Sequence, residues 1–219
     1  EYEKDRAASI QNSFFAIKQK LKAEVEMELP KLLKECAEMV KEDSDFRRIH
    51  LEINEAMNRK IQMYFDENIF PTFYEGMENW LVQAKIEMLE SKSYLDDMAE
   101  SLNKIYGENA VALEGDFRIL DDWHRDISRM TAKVDIEREN IFLRRTPSQL
   151  LLKGAGKIFG AIPQNKNMLY NQYKKFIENE DYSETVQTVL SKYMLPFDVF
   201  EKALDRDVRL FLNQPIDEL

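Results

Sequence analysis

The 219-residue sequence has only six glycines, six prolines and one cysteine. So few helix-breaking residues, in a chain of which one third is charged, are typical of long helices. The single cysteine, Cys36, excludes an intramolecular disulfide framework and fits a reducing compartment. Because Cys36 lies on an apolar helical stripe, we expect it to be a buried and unreactive thiol.

The sequence also lacks a signal-peptide pattern and any apolar run of the roughly 18 residues that a membrane-spanning helix needs. It opens inside a charged helical pattern and stops just after "NQPIDEL". From this we expect a piece of a larger protein.

Apolar residues recur at intervals of three and four along most of the chain, which predicts amphipathic helices. No alternation of Val, Ile and Thr reaches the length of a strand. We therefore predict an all-α fold, an elongated, stalk-like bundle of antiparallel helices, because heptads are not sustained as a two-stranded coiled coil requires. The clearest stripe predicts the first helix: Ile10, Phe14, Ile17, Leu21, Val25, Leu29, Leu32, Cys36 and Met39.

Prolines and polar turns predict where the helices are interrupted. Pro30 predicts a kink, or a break and restart, and Pro71 with Gly76 predicts a kink or short connection. Pro196 predicts a kink in the last helix. We interpret residues 1–219 as one helical stalk or trunk region, with 146–163 as its tip.

Further turn and capping signals place the helix starts. Ser44 or Asp43 is the expected cap of the second helix, and "YGENAVALEGD" (106–116) is a clear interruption after which Asp116 is a cap. "TPSQ" (146–149) and "DYSE" (181–184) each match a capping box and predict two more helix starts.

Catalytic motifs are absent. In "GAGK" a phosphate-binding loop would need glycine at Leu151 and Ser or Thr at Ile158, so both diagnostic positions fail. Asp121 and His124 form one imperfect pair, whereas a di-iron bundle needs two Glu-x-x-His pairs and two further glutamates. We predict no catalytic, cofactor-binding or metal-binding residue in this stretch of chain.

One window stands apart from the acidic remainder. The chain carries −10, yet from Asn140 to Ile177 there is no Asp or Glu and there are seven cations, so the rest carries −17 (−10 minus 7). Three of the six glycines lie between Gly154 and Gly160. The basic rim consists of Arg144, Arg145, Lys166, Lys174 and Lys175. The candidate contact residues between them are Leu150, Leu151, Leu152, Lys153, Lys157, Ile158, Phe159 and Ile162.

An apolar wedge with a basic rim is what an interfacial membrane element needs, because apolar burial adds to attraction for anionic headgroups. The anionic lipid membrane is therefore the candidate partner. The competing interpretation is a hairpin whose leucines pack against the end of the bundle core. Aromatic residues among the lysines (Tyr170, Tyr173, Phe176) also permit a nucleic-acid site, but the acidic chain repels phosphate, and we predict no nucleic-acid partner.

The stretch "LRRTPSQLLLKGAGKIFGAIPQNKN", with "LPFDVFEKALDRDVRLFL" further on, resembles the helical region that follows the GTPase domain in bacterial dynamin-like proteins. The resemblance covers about 143–212. It implies a GTPase domain elsewhere in the same chain, with GTP and Mg²⁺ as its ligands. It also implies self-association through the stalk, a paddle at Leu150–Ile162 that meets the membrane, and a cytoplasmic location, peripheral at the inner face of the cell membrane.

Two other classes remain open. A helical-bundle pore-forming toxin also inserts an apolar hairpin between long helices, although here Lys153 and Lys157 interrupt the short apolar run. A non-enzymatic scaffold would instead use the hairpin to bind a protein partner. Lipid binding separates the scaffold from the other two, and lysis of vesicles singles out the toxin.

Overall fold

A computed structural model describes residues 2–106, 117–132, 138–142 and 166–217. Within these ranges all regular structure is helical, which confirms the all-α prediction. The elements are α1 (Tyr2–Lys34), a 3₁₀ turn (Glu35–Met39), α2 (Ile49–Tyr64), a π turn (Phe65–Ile69), α3 (Phe70–Tyr106), α4 (Arg118–Met130), α5 (Lys166–Asn179), α6 (Ser183–Tyr193) and α7 (Leu195–Asp217).

The described residues divide into two compact units. Unit 1 draws on Glu1–Leu21, Phe70–Lys133 and Tyr193–Leu219, and unit 2 draws on Lys22–Ile69 and Val134–Lys192. The chain passes between the units four times: within α1, between the π turn and α3, between Lys133 and Val134, and at the end of α6. The interpretation of 1–219 as one region with 146–163 as its tip stays a prediction.

The first helix follows the predicted stripe with two local differences. α1 continues through Pro30 and ends at Lys34, so a break and restart at Pro30 is wrong. Leu33 is fully buried whereas Leu32 is half-buried, because Leu33 lies on the same helical face as buried Leu29 and Cys36, at steps of four and three. Cys36 is buried in that turn, as predicted.

The second helix begins later than the polar turn predicts. α2 starts at Ile49, and no side chain caps it. Ser44 Oγ instead accepts a hydrogen bond from the backbone N–H of Lys41 at 2.9 Å, and Asp45 Oδ1 accepts one from Arg47 at 3.0 Å. The polar residues therefore close the turn rather than start the helix, and the cap predicted at Ser44 or Asp43 is wrong.

Helical structure is continuous from Ile49 to Tyr106, across Pro71. The π turn at Phe65–Ile69 precedes α3, and Pro71 occupies the first turn of α3. A proline lacks the backbone N–H that an interior position donates, and the π turn directly before α3 is a local change of the hydrogen-bond ladder at the point where this N–H is missing. No loop is needed at Pro71, and Gly76 lies within α3.

The C-terminal region forms two helices rather than one kinked helix. α6 ends at Tyr193, Met194 forms a turn, and Pro196 is the second residue of α7. Asp181 Oδ1 accepts a hydrogen bond from the backbone N–H of Ser183 at 3.0 Å, which supports the helix start predicted from "DYSE". The starts predicted at Asp116 and Thr146 lie outside the described residues.

The core of unit 1 is aromatic and centres on Trp80 of α3. The Trp80 ring lies 6.0 Å from Phe14, 5.5 Å from Trp123 and 6.0 Å from Phe200, between ring centroids. Its indole N–H donates to the carbonyl oxygen of Ile10 at 3.2 Å and to Ser13 Oγ at 3.1 Å. Helices α1, α3, α4 and α7 thus meet at one ring cluster.

Lys18 joins α1 to α7 within unit 1. It is only 6% exposed, and its ammonium donates to Asp198 Oδ1 at 2.9 Å and to a carboxylate oxygen of Glu201. Burial lowers the pKa of Lys18, but the bonds to Glu201 and Asp198 outweigh this effect and raise the pKa above its usual value. With Gln11 bonded to Asp205 at 2.7 Å, these contacts make α1 and α7 antiparallel.

Candidate functional site

All of the predicted contact residues, and two residues of the basic rim, lie outside the described part of the chain. This applies to Leu150, Leu151, Leu152, Lys153, Lys157, Ile158, Phe159 and Ile162, and to Arg144 and Arg145 of the rim. The structure describes the two flanks of this stretch, which are residues 138–142 and helix α5. Both flanks belong to unit 2.

Two asparagines of α2 hold the first flank. Asn54 Oδ1 accepts a hydrogen bond from the backbone N–H of Phe142 at 3.0 Å, and Asn54 Nδ2 donates to the carbonyl oxygen of Glu139 at 3.2 Å. Asn58 bonds both backbone groups of Glu139, accepting from its N–H at 2.8 Å and donating to its carbonyl at 2.9 Å. Because residues 138–142 form no helix, these amides supply the partners that a ladder would otherwise provide.

Aromatic rings join the first flank to the second. The ring of Phe142 is buried and lies 6.1 Å from Tyr173 and 5.5 Å from Phe176, both on α5. Tyr173 also contacts Phe46 at 5.8 Å. Phe142 therefore lies beside α5, the helix that follows residues 143–165 in the sequence. Tyr173 is buried and Phe176 is half-buried, so both rings pack toward the interior of unit 2.

The second flank carries three of the rim lysines, and the structure does not place them on one face. Lys166 is the first residue of α5 and is exposed, and Lys175 is exposed as well. Nine residues separate them, which is about two and a half helical turns, so they lie on opposite faces. The Lys174 ammonium lies 5.6 Å from the centre of the Tyr170 ring and 3.4 Å from its hydroxyl oxygen. Among the described rim lysines, Lys166 is thus the one nearest to the apolar stretch along the sequence.

A groove of about 110 Å³ lies beside Phe142 and Phe176. Its polar lining is acidic: Glu139, Glu180, Asp181 and Glu184. Glu139 forms an ion pair with Lys192, and the other three carboxylates also have partners. Among the described residues, no group of His, Cys, Asp or Glu is arranged to hold a metal ion. The groove is therefore part of a charged surface.

The remaining candidate groups have structural environments. His124 contacts Glu78 at 3.3 Å, so its partner is a carboxylate of α3 and not Asp121. Burial raises the pKa of the Cys36 thiol, which disfavours the reactive thiolate. Across the described ranges, no helix is both long and apolar enough to span a bilayer.

Sequence reasoning missed Asn54 and Asn58, the two residues that hold the first flank. Their four-residue spacing on one helical face was the available signal, since two amides at that spacing can bond one passing backbone segment. No family model, curated protein or solved structure matches the chain. The resemblance to dynamin-like proteins accordingly stays an interpretation of the sequence.

Proposed function

We propose that this chain is a helical, stalk-like membrane-binding module of a dynamin-like GTPase, in which Leu150–Ile162 contacts anionic lipid. One observation carries the proposal: the only long window without an acidic residue in a chain of net charge −10 is also the window with the apolar, glycine-rich run. The absence of every Asp and Glu from this window favours a surface that binds a negatively charged partner, because carboxylates would repel it.

The described flanks support this proposal. Asn54, Phe142 and Tyr173 hold the two flanks of the stretch to each other and to α2, so a movement of the stretch would act on these helices directly. Lys166 stands exposed at the end of α5 that adjoins the stretch. Flanks that are held to the helices, with an exposed lysine beside them, are suitable for a segment that transmits movement between the helices and a membrane surface.

Two energetic contributions hold such an element at a bilayer. Each Lys or Arg near an anionic surface contributes about 1 kcal/mol, and this contribution weakens with salt because the Debye length falls from about 10 Å at 0.1 M to about 3 Å at 1 M. Burial of Leu150–Leu152, Ile158 and Phe159 would add an apolar contribution that salt does not screen. The proposal therefore requires two separable components of binding.

The wider role follows from the resemblance. The full-length protein would carry a GTPase domain that binds GTP and Mg²⁺, while the helical module itself would have no enzymatic activity. Nucleotide hydrolysis would drive bending or self-association of the stalk and so remodel or fuse the membrane. The protein would work in the cytoplasm, peripheral to the inner face of the cell membrane.

Vesicle co-sedimentation tests the proposal. The protein should bind vesicles that contain phosphatidylserine and bind phosphatidylcholine vesicles weakly, and 1 M salt should release most of it. Lys153→Glu with Lys157→Glu should abolish the salt-sensitive component, and Ile158→Ser with Phe159→Ser the remainder. Helical content should not change, because these residues would contact lipid rather than the core.

Matched controls on α1 and α2 separate the site from general charge and hydrophobicity. Lys31→Glu with Lys34→Glu makes the same charge change at other exposed lysines of unit 2, and Met27→Ser with Leu51→Ser removes exposed apolar side chains there. Neither control should reduce binding. Equal loss in the controls, or binding that ignores lipid charge, would refute the proposal, and release of a trapped dye would favour the toxin.

A further inference from the structure

Helix α3 carries an apolar stripe on the side opposite its core. Val82 is 57% exposed, Ile86 43% and Leu89 47%. Steps of four and three separate these residues, so they lie on one face of the helix. The core side of the same helix consists of Trp80, Ala84 and Met88, which are all buried. Two residues along a helix turn the side chain by about 200°, so the stripe faces away from unit 1.

The stripe has the spacing and residue types of a short coiled-coil seam. Asn79, Val82, Ile86, Leu89 and Ser93 are all exposed and alternate steps of three and four, which places Asn79, Ile86 and Ser93 at a positions and Val82 and Leu89 at d positions. Isoleucine at a with leucine at d favours two parallel strands. An asparagine at an a position fixes the register of such a pair.

The charges that flank the stripe distinguish between the two orientations of a second copy. In a parallel pair each g residue approaches the residue five positions further along the other chain. Lys85 then approaches Glu90 of the second copy, and Lys92 approaches Asp97, so both pairs attract. In the antiparallel register that sets Ile86 against Leu89, Lys85 instead approaches Lys92 of the second copy and the pair repels.

We infer that the outer face of α3 binds the same face of a second copy of this chain, in parallel, through the seam from Asn79 to Ser93. The helices are already formed in the monomer, so association does not carry the cost of helix nucleation that limits short isolated coiled coils. The seam spans only two heptads, so the surface area it buries is well below the roughly 1,600 Å² of a standard interface. The dimer is accordingly weak and depends on protein concentration.

The inference rests on α3 alone and is independent of lipid binding, so its test contains no lipid. Sedimentation equilibrium at rising protein concentration should show a monomer–dimer equilibrium. Ile86→Glu should weaken it about tenfold or more, because a carboxylate would be buried in the seam. The control Val199→Glu adds the same charge at an exposed apolar residue of α7 and should leave the dimer unchanged. The inference would be overturned if the protein stayed monomeric at every concentration, or if Ile86→Glu left the dimer dissociation constant unchanged.

Charge reversal and disulfide trapping test the parallel orientation. Lys85→Glu should weaken the dimer, and adding Glu90→Lys should restore it. Glu90→Lys also removes the ion pair of 2.8 Å between Glu90 and Arg6, but Arg6 keeps its hydrogen bond to the carbonyl oxygen of Glu87. In a parallel pair Asn79→Cys lies opposite itself and should form an intermolecular disulfide on oxidation, while buried Cys36 gives none. Cross-linking that needs a mixture of Asn79→Cys and Asp96→Cys would show an antiparallel pair and contradict the orientation.

Discussion

The side-chain oxygen of Asn54 accepts a hydrogen bond of 3.0 Å from the backbone N–H of Phe142, and both residues are buried. This bond fastens α2 to the residue that precedes the apolar, basic stretch. Because the same amide also donates to the carbonyl oxygen of Glu139, a single side chain satisfies two backbone groups. Together with Asn58, which bonds the backbone of Glu139, this asparagine holds the base of the proposed membrane element.

Removing this amide should destabilise unit 2. We expect Asn54→Ala to lower the free energy of unfolding by about 2 kcal/mol, because it leaves the N–H of Phe142 buried without an acceptor. Urea unfolding followed by circular dichroism measures the loss. Asn179→Ala is the control, since exposed Asn179 bonds only the carbonyl of Lys175 in its own helix. Equal stability of the two variants would show that the hydrogen bonds of Asn54 contribute nothing to the free energy of unfolding.

The aromatic cluster should stabilise unit 1 in the same way. Trp80→Phe removes the two hydrogen bonds of the indole N–H and part of a ring that contacts Phe14, Trp123 and Phe200, and should cost about 2–3 kcal/mol. Tyr74→Phe, at an exposed position of the same helix, should cost almost nothing. Thermal unfolding compares the two. A Trp80→Phe protein as stable as the Tyr74→Phe protein would contradict this account of the core.

Alkaline pH should destabilise unit 2 through Tyr64. Burial, with a smaller effect of Glu24 and Glu28, raises the pKa of Tyr64 to about 12, whereas an unfolded tyrosine ionises near pH 10. Between these values only the unfolded state loses the proton, so the free energy of unfolding falls as pH rises. Its contribution is complete below about pH 10 and is lost on the approach to pH 12.

Tyr64→Phe removes this dependence. The difference in unfolding free energy between the natural protein and the variant should shift by up to about 1.4 kcal/mol per pH unit between pH 10 and 12, and less where solvent screens the carboxylates. Urea unfolding at pH 9, 10 and 11 gives the slope. Parallel curves for the two proteins would show that Tyr64 ionises equally in both states.

The two exposed lysines of α5 should contribute unequally to lipid binding. Lys166→Glu should weaken binding to anionic vesicles more than Lys175→Glu, because Lys175 lies on the opposite face and about 13 Å further along the helix. That distance exceeds the Debye length at 0.1 M salt, which is about 10 Å. Both variants change the net charge equally. Equal weakening at that salt concentration would indicate attraction by net charge alone.

Helix positions could be predicted wherever one face is apolar over several turns. In α4, Leu120, Trp123, Ile127 and Met130 recur at steps of three and four, and all four are buried. The start of α2 could not be placed, because Ser44 and Asp45 form turn bonds that compete with capping. The continuity across Pro71 depends on a π turn for which the sequence carries no recognised pattern.

Polar residues with distant partners escaped prediction altogether. Lys18 is buried because Asp198 and Glu201 lie against it, and their positions along the chain are remote. Asn54 is buried because residues 138–142 cover it. On a helix such residues look like part of a solvated face, since burial is decided by tertiary contacts that periodicity does not encode. The candidate membrane stretch stood out because its charge and composition need no distant partner to be recognised.

Contact of residue 159 with the bilayer interior tests the central claim most directly. Phe159→Cys can be labelled with a fluorophore that brightens in apolar surroundings, because Cys36 is buried and unreactive. Met27→Cys, at an exposed position of α1, is the matched control. On addition of phosphatidylserine vesicles the probe at 159 should brighten, and lipids with a quencher in their acyl chains should then quench it, while the probe at 27 does neither. A probe at 159 that stays dark, or that brightens without lipid and resists acyl-chain quenching, would mean that the apolar stretch packs against protein and that the membrane account is wrong.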